Sequence, residues 1–512
     1  MKIIKKCMAS PPALALFVST GLVLFVLFIK PIGMADNGDF YRIINGNGIY
    51  KLDRDQKDQY FQYFSKEFGT FEYYNESQNT IISSQTPFIQ AALALDRLFT
   101  GADNRFDIRF LSGILSLWCL LNIYLLVDYA AFGLQKRYGY GIAALAVYLF
   151  ADVGYTAYFN SFYAEGLVYV SFLSAMASAL LIFQKRHNLY LLLTLYIFSS
   201  VVLTTAKQQN APLGVLLGLL IIPLMLSLPK KQGLRKKKAA RRRTVAVAVC
   251  SISLCVCGAL VYYLIPQEFV DINKYHAMTR GILMTSQNPE TALEHFGIDP
   301  QYSLLDGSIF FERYPAADVE GEDLKTRFYP NYGFVSVSLY YLEHPSELLQ
   351  MLDAAAKNAY NIPPEAMGNY ERSAGKEPGQ KSWFFKLHSY LKARIAPKTV
   401  GFMILWIVAI LGLGFRNRGR TLVLACAILM GLSQIGVSII GAGDADLSKH
   451  IFLYNVVYDL CNFVMLSTVF FRWRSDKRQA KTTGLPIVQA SDAERSANQM
   501  EGVVSSEAGA KQ

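Results

Sequence analysis

Ten apolar stretches, each near the length of about 20 residues that crosses a bilayer, alternate with polar segments along the chain. They predict ten transmembrane helices and an all-α polytopic membrane protein. The stretches lie at about 11–29, 108–128, 139–157, 162–183, 189–206, 211–228, 244–265, 398–415, 421–441 and 451–471. The polar segments FNSFYAEG and TTAKQQNAP interrupt this pattern, and backbone of that kind is tolerated at membrane depth only within a protein-lined cavity.

Basic clusters in alternate short loops predict the orientation of the chain. With the lysines at the N-terminus, all of them fall on one side, and the positive-inside rule makes that side cytoplasmic. They lie at 136–137, 185–186, 230–243, 416–420 and 472–478. Dropping or adding one span would move every later cluster to the wrong side, so the pattern predicts that both termini are cytoplasmic.

Two long polar segments, 30–107 and 266–397, then fall on the outer side. The predicted domains are an N-terminal transmembrane module that includes the first outer loop, a mostly helical extracytoplasmic loop domain, C-terminal transmembrane helices and a disordered cytoplasmic tail. Their bounds are 1–265, 266–397, 398–474 and 475–512. Within the large loop, HPSELLQMLDAAAKNAY (344–360) predicts an amphipathic helix with Pro345 in its first turn.

The composition agrees with a membrane protein rather than a soluble enzyme. Of 512 residues, 52% are hydrophobic and 17% charged. The formal charge of +11 is concentrated between the apolar runs, so it reflects topology rather than nucleic-acid binding. All seven cysteines lie in or beside apolar runs, which supports neither a disulfide framework nor a thiolate zinc site. Nucleotide-binding and hydrolase motifs are not found in the sequence.

The segment MADNGDFYRI (34–43) places three charged residues directly after the first span. If the segment is helical, Asp36 and Asp39 share a face and Arg42 continues it. One carboxylate could then take a proton from an attacking hydroxyl while the guanidinium binds an anion. In the alternative interpretation the residues are structural: Asp36 caps a helix and Asp39 pairs with Arg42. The residues alone leave both interpretations open.

Three further polar clusters fall at the outer ends of spans. They are Asn160 with Glu165, Lys207 in TTAKQQN, and the loop GAGDADLSKHIF (441–452) with Lys449 and His450. Each has an ordinary explanation: a helix-start carboxylate, a snorkelling lysine and a solvated turn. The Asp444-Ala-Asp446 spacing is known from metal sites of nucleotide-sugar enzymes, but the chain has no sign of the soluble domain that accompanies it. What favours a functional site is the position of all these clusters on one side.

The chain resembles a known enzyme class in its layout and in seven short motifs. The layout is one helix followed by an acidic outer loop. The motifs are ADNGDFYR (35–42), FNSFYAEG (159–166), AKQQN (206–210), YHAMTRGIL with NPETALEHFGIDPQY (275–302), HP (344–345), GNY (368–370) and KHIFLYN (449–455). The layout resembles the GT-C glycosyltransferases. The motifs resemble the WsfD-type hexose transferases of bacterial surface-glycan assembly, over about residues 10–472.

The resemblance implies a transferase in the bacterial plasma membrane that moves a hexose from a polyprenyl-phosphate donor to a surface-glycan acceptor. It implies an inverting single displacement with Asp39 or Asp36 as the base, Asp39 by a small margin. Candidate substrate-binding residues are Arg42, Asn160, Glu165, Lys207, Lys449 and His450. Acceptor contacts are expected at Tyr275, His276, Arg280 and Asn369. No metal ion and no cofactor are expected, and the bilayer is the other implied partner.

Two alternatives remain at this stage. A lipid-linked glycan flippase or transporter would carry charges near the bilayer midplane and matching broken helices in two halves. A glycan polymerase or ligase would use the same donor chemistry with a longer lipid-linked glycan, and the sequence barely separates it from a single-sugar transferase.

Overall fold

The computed structural model describes residues 10–52, 60–71, 81–227, 236–312, 317–364, 366–414, 417–472 and 474. The predicted disordered tail, 475–512, lies outside these residues. The N-terminal helices are α1 Pro11–Leu24, α2 Tyr41–Ile44, α3 Gln85–Thr100, α4 Arg109–Ala131, α5 Lys136–Phe150, α6 Val153–Thr156, α7 Ala164–Gln184, α8 Leu189–Thr205, α9 Leu213–Ser227 and α10 Lys236–Tyr263.

The remaining helices follow in chain order. They are α11 Gln267–Ala277, α12 Leu283–Thr285, α13 Pro289–His295, α14 Glu322–Arg327, α15 Phe334–Glu343, α16 Pro345–Asn358, α17 Leu387–Ile395, α18 Val400–Gly414, α19 Arg418–Ala442, α20 Leu447–His450 and α21 Phe452–Met465. Short π-helical segments extend α1 over Phe25–Ile29 and α21 over Leu466–Phe471. The amphipathic helix predicted at 344–360 is confirmed as α16, with Pro345 at its first position.

The chain is an all-α polytopic membrane protein, as predicted. Among the described residues, seven helices are long and apolar enough to cross a bilayer, or up to nine if each of two bent pairs is one span. The pairs are α5 with Val153–Asn160, bent by 44°, and α17 with α18, bent by 116°. The remaining predicted span, 189–206, is the apolar 17-residue helix α8, so a tenth crossing stays a prediction.

Helix α7 lies at the centre of the bundle. Its side chains from Glu165 to Ile182 are all buried, and α4, α8, α19 and α21 pack against it. Small residues along α7, such as Ala175, Ala177 and Ser178, permit these close approaches. Helix α10 is the contrasting case, because much of its apolar surface is exposed, as expected for a helix that faces lipid.

The described residues of 30–107 and 266–397, called the loop domain below, pack together at one end of the bundle. An antiparallel sheet of three short strands, β1 Ile49–Lys51, β2 Glu67–Thr70 and β3 Arg105–Asp107, interrupts the helices. Phe68 of β2 and Phe106 of β3 are paired neighbours and both rings contact Phe162, which precedes α7. The sheet is thereby fixed to the helix junction where the polar motif FNSFYAEG lies.

Candidate functional site

The chain between α1 and ADNGDF is held on both sides by hydrogen bonds. Gly33 N donates to Asn369 O and Ala35 N to Gly368 O, each at 3.0 Å. The Asn369 side chain donates to Gly33 O at 2.8 Å, and the Asn160 side chain donates to Ile32 O at 2.9 Å. Asn369 therefore positions this segment from within the loop domain, and Asn160 does so from the end of the broken span.

Asp36 is a structural carboxylate in this arrangement. Its Oδ1 accepts hydrogen bonds from Gly38 N at 2.8 Å and Phe40 N at 3.1 Å, and its Oδ2 pairs with Lys51 of β1. Gly38 has a φ of 105°, which favours glycine at this turn. Helix α2 begins only at Tyr41, so Asp36 and Asp39 do not share a helix face. Asp36 caps the turn, as in the alternative interpretation of the sequence.

Asp39 lies between two cations and lines a cavity. Its Oδ1 is 3.1 Å from Arg42 Nε, and its Oδ2 pairs with Lys449 Nζ. The Arg42 guanidinium lies over the Phe269 ring, 4.8 Å from its centroid. Burial alone would raise the pKa of Asp39, but the charges of Lys449 and Arg42 hold that pKa well below its ordinary value. Asp39 is accordingly a carboxylate at neutral pH.

Lys449 reaches Asp39 because two loops dock on each other. Asn37 Nδ2 donates to Asp446 Oδ2 at 2.6 Å, which joins the first loop to the loop before α20. Lys449 Nζ also lies 3.5 Å from Asp446 Oδ2. Burial alone would lower the pKa of Lys449, but the carboxylates of Asp39, Asp446 and Glu165 raise it above its ordinary value. Lys449 therefore stays charged although it is buried.

A second ion pair lies on the same cavity wall. Lys207 Nζ is 2.6 Å from Glu165 Oε1, and the Glu165 side chain is only 2% exposed. Glu165 is in the first turn of α7, where the helix dipole favours a negative charge. Lys207 follows the end of α8 and is held by the short 3₁₀ turn Gln208–Asn210. The two motifs that interrupt the apolar pattern thus meet through this pair.

His450 has a specific hydrogen-bond environment. Gln209 Nε2 donates to the backbone oxygen of His450 at 2.7 Å and to Ser438 Oγ at 2.9 Å. His450 Nδ1 lies 3.2 Å from Gln209 Oε1. Burial, and then the charges of Lys207 and Lys449, lower the pKa of His450 to about 3. The geometry and the lowered pKa favour a neutral imidazole for His450.

These groups surround a cavity of about 790 Å³. Its polar wall includes Asp39, Arg42, Glu165, Lys207, Gln209, Lys449 and His450. Its apolar wall includes Val215, Cys255, Gly258, Val261, Tyr262, Val437 and Ile440. On α10 the lining runs from Cys255 to Tyr263, which is about 12 Å along the helix axis. The cavity therefore joins a charged cluster beside the loop domain to an apolar surface between membrane helices.

One known protein family matches the part of the chain that forms this cavity. The family described as YfdI N-terminal transmembrane domain matches residues 1–485. The chain belongs to this family. No curated protein and no solved structure matches it. The family region of this YfdI-type chain includes the loop domain, the bundle and every residue named above.

The predicted site residues fall into two groups. Asp39, Arg42, Glu165, Lys207, Lys449 and His450 line the cavity of this YfdI-type protein. Asp36 and Asn160 are buried beside it and bonded to the protein, with Asn160 Oδ1 accepting from Ser112 Oγ. Their roles as base and substrate ligand stay predictions, although the contacts assign both a structural task.

The expected acceptor contacts in the loop domain also make structural bonds. Tyr275 is buried with its hydroxyl 2.6 Å from Ser308 Oγ, and His276 Nε2 accepts from Phe310 N at 3.0 Å. Arg280 Nε pairs with Asp444 Oδ1 at 2.7 Å, which ties the loop domain to the loop that carries Lys449. Asp444 therefore belongs to an interdomain ion pair.

Sequence reasoning missed two features, one in the cavity and one outside it. Gln209 was seen only as part of the short motif AKQQN, and nothing local indicated that its amide would contact His450. The second is a buried cluster deeper in the bundle, where Asp459 Oδ2 accepts from Tyr155, His388 and Lys392 at 2.5, 2.8 and 2.7 Å. Asp459 lies in α21 and Lys392 in α17, so this cluster fixes the bent helix pair to the bundle.

Among the described residues, no group of three or more histidine, cysteine, aspartate or glutamate side chains is arranged to hold a metal ion. The expectation that the protein needs no metal stays a prediction.

Proposed function

We propose that this YfdI-type protein is a GT-C-type glycosyltransferase that moves a hexose from a polyprenyl-phosphate donor to a cell-surface glycan. The observation that carries the proposal is the composition of the cavity. Charged groups gather at the end beside the loop domain, and an apolar wall continues about 12 Å along α10 between membrane helices. A lipid-linked sugar needs both surfaces, because its tail stays in the hydrocarbon while its phosphate and sugar lie near the headgroups.

In the proposed reaction a hydroxyl oxygen of the acceptor attacks the anomeric carbon of the donor sugar. The bond between that carbon and the phosphate oxygen breaks, the polyprenyl phosphate leaves with the electron pair, and Asp39 receives the hydroxyl proton. Arg42, Lys207 and Lys449 line the same cavity and would stabilise the negative charge that develops on the phosphate. A single displacement of this kind inverts the anomeric centre.

The pairing of Asp39 with Lys449 affects its suitability as a base. A carboxylate whose pKa is held low by a contacting lysine is a weak base. A donor phosphate that attracts Lys449 would weaken this pairing and raise the pKa of Asp39 towards its ordinary value. The apolar wall would then hold the donor tail while the cations exchange one partner for another.

The proposed location is the bacterial plasma membrane, with both termini in the cytoplasm and the cavity on the outer face. Support comes from the basic clusters in alternate loops, which the positive-inside rule places opposite the loop domain. A reporter-fusion topology map tests this directly. A cytoplasmic reporter signal near residues 36–42 would refute the proposed orientation.

The decisive experiment uses purified protein, a polyprenyl-phosphate hexose and an acceptor glycan. Asp39→Asn is expected to reduce transfer about 10²- to 10⁴-fold, the usual contribution of a general base. Asp36→Asn is the comparison variant for the other candidate base: its amide oxygen can still accept from Gly38 N and Phe40 N, but the ion pair with Lys51 is lost, so its folding is checked alongside transfer. Full activity in Asp39→Asn would refute the assignment of the base, and absence of transfer by the wild type would refute the function.

The buried cluster around Asp459 favours the transporter alternative, which calls for ionisable groups inside the bundle. Asp459 lies seven residues into α21, about 10 Å from its start. In reconstituted vesicles, a flippase would move lipid-linked sugar across the bilayer without forming a glycosidic bond. A polymerase or ligase would be recognised in the transferase assay by a preference for an oligosaccharide-linked donor.

A further inference from the structure

The side-chain amide of Gln209 has only one orientation that satisfies its contacts. One of its two terminal atoms lies 2.7 Å from the backbone oxygen of His450. A carbonyl oxygen can only accept, so this atom is the Gln209 nitrogen. Ser438 agrees with this assignment, because its hydroxyl donates to Gln434 O at 2.6 Å and accepts from Gln209 Nε2 at 2.9 Å. The oxygen Oε1 therefore faces His450.

The orientation of Gln209 determines the tautomer of His450. Oε1 has no proton to donate, so the contact of 3.2 Å with His450 Nδ1 is a hydrogen bond only if Nδ1 carries the proton. A neutral imidazole has one protonated nitrogen, which leaves Nε2 with its lone pair. Among the described residues no protein hydrogen bond to His450 Nε2 is found, and His450 lines the cavity.

The charges around the ring favour this neutral form. Lys207 and Lys449 lie on the same wall and oppose protonation more strongly than Asp39 and Glu165 promote it. A cationic His450 would also have to be buried beside these two ammonium groups. A polar group that accepts a hydrogen bond, and carries no charge, suits a hydroxyl rather than a phosphate.

We propose that His450 presents an unprotonated Nε2 to the cavity and accepts a hydrogen bond from a hydroxyl group of the substrate sugar, with Gln209 as the positioning residue that fixes the tautomer. This inference rests on the proposed function for its sugar substrate. It gives His450, a candidate substrate-binding residue, a specific role in sugar recognition.

The first test is nuclear magnetic resonance of protein labelled with ¹⁵N at its histidine nitrogens. The chain has six histidines, and the resonances of His450 are those absent from His450→Gln. A protonated Nδ1 and an unprotonated Nε2 are expected from about pH 8 to about pH 5, a range in which an ordinary histidine titrates. The opposite tautomer, or protonation of both nitrogens in this range, would overturn the proposal.

The same sample tests Gln209 as a positioning residue. Gln209→Met removes the acceptor from Nδ1 and is expected to produce a mixture of tautomers. Gln209→Glu keeps an oxygen for Nδ1 but loses the donor to His450 O and adds a negative charge beside the ring, so it is expected to raise the pKa of His450. Equal spectra for the wild type and Gln209→Met would show that another contact fixes the ring.

A ligand titration separates a sugar contact from a phosphate contact. Polyprenyl-phosphate hexose is expected to shift the Nε2 resonance, whereas polyprenyl phosphate without the sugar is expected to leave it unchanged. Equal shifts with both lipids would overturn the proposal, because the phosphate would then be the contact. An unchanged resonance with both would overturn it as well.

Enzyme kinetics test the role of His450 independently. A glutamine at position 450 retains an uncharged acceptor, so His450→Gln is expected to lower kcat/KM about 10-fold, the order of one hydrogen bond. His450→Lys supplies a charge but no acceptor and is expected to lose more. The reverse order would overturn the proposal. If the wild type transfers no hexose, the proposed function fails, while the spectra and the titration still decide the role of His450.

Discussion

The ion pair between Lys207 and Glu165 predicts an asymmetric cost of removing its two partners. The Glu165 side chain is 2% exposed and the Lys207 side chain 20% exposed. Lys207→Met leaves a buried carboxylate without its cation, and breaking a buried pair in this way costs about 3–5 kcal/mol. Glu165→Gln keeps an oxygen that accepts from Lys207, and the Lys207 charge also has access to water. The expected loss of stability in Glu165→Gln is about 1 kcal/mol.

The double variant tests whether the uncompensated charge is the cause. In the double variant, Lys207→Met with Glu165→Gln, the unpaired carboxylate is gone, so the expected free energy of unfolding is higher than that of Lys207→Met alone. The difference should reach about 2 kcal/mol, which is a coupling of the size seen for residues in direct contact. The measurement is unfolding of the purified protein in detergent micelles, followed by intrinsic fluorescence.

A matched control pair exists on the surface of α16. Lys357 Nζ lies 2.7 Å from Asp353 Oδ2, almost the same distance as in the buried pair, but the side chains are 66% and 44% exposed. Lys357→Met should cost no more than about 0.5 kcal/mol, because water screens an exposed pair. If Lys207→Met costs no more than Lys357→Met, or if Glu165→Gln gives no rescue, the argument from burial is refuted.

Two further predictions concern the loop that carries Lys449. Gly443 has a φ of 60°, and an added Cβ would lie 2.4 Å from the backbone carbonyl of Arg280, so Gly443→Ala should destabilise the protein by about 1–3 kcal/mol or more in the same unfolding assay. Gly441→Ala meets no atom within 4 Å and should have little effect, and equal costs for the two would refute this explanation. In Lys449→Met the pKa of Asp39 should rise towards its ordinary value of about 4, so the acid limb of the kcat/KM profile should move to higher pH. An unmoved acid limb would exclude Asp39 as the titrating base.

The spans could be predicted because the bilayer imposes a local rule. A segment of about 20 apolar residues must form a helix whose backbone groups bond internally, and this requirement does not depend on distant sequence. The same is true of α16, since Pro345 fits the first turn of a helix and the apolar spacing follows. The bend after α5, within the third predicted span, and the bend between α17 and α18, at the start of the eighth, were not predicted.

The candidate site was only partly predictable, since its main contacts join distant parts of the chain. At the first loop the structure shows the contacts of the structural alternative, because Asp36 caps a turn and Asp39 contacts Arg42, while the catalytic role stays a prediction. The missing partner was Lys449, which is 410 residues away in sequence and reaches Asp39 through docking of two loops. Asp459 was overlooked for the same reason, as its partners His388 and Lys392 come from the polar loop segment.

The charges in the cavity constrain how the proposed reaction can begin. Arg42, Lys207 and Lys449 already contact carboxylates, although Arg42 and Lys449 share Asp39, so an anionic donor enters a cluster whose positive charge is largely neutralised. Binding is favourable if the phosphate replaces a carboxylate as the partner of a lysine, and Lys449 is the cation whose release changes Asp39 most directly. Because a free Asp39 is the better base, the donor phosphate would activate the catalytic carboxylate as it binds. Proton abstraction from the acceptor should then follow donor binding rather than precede it.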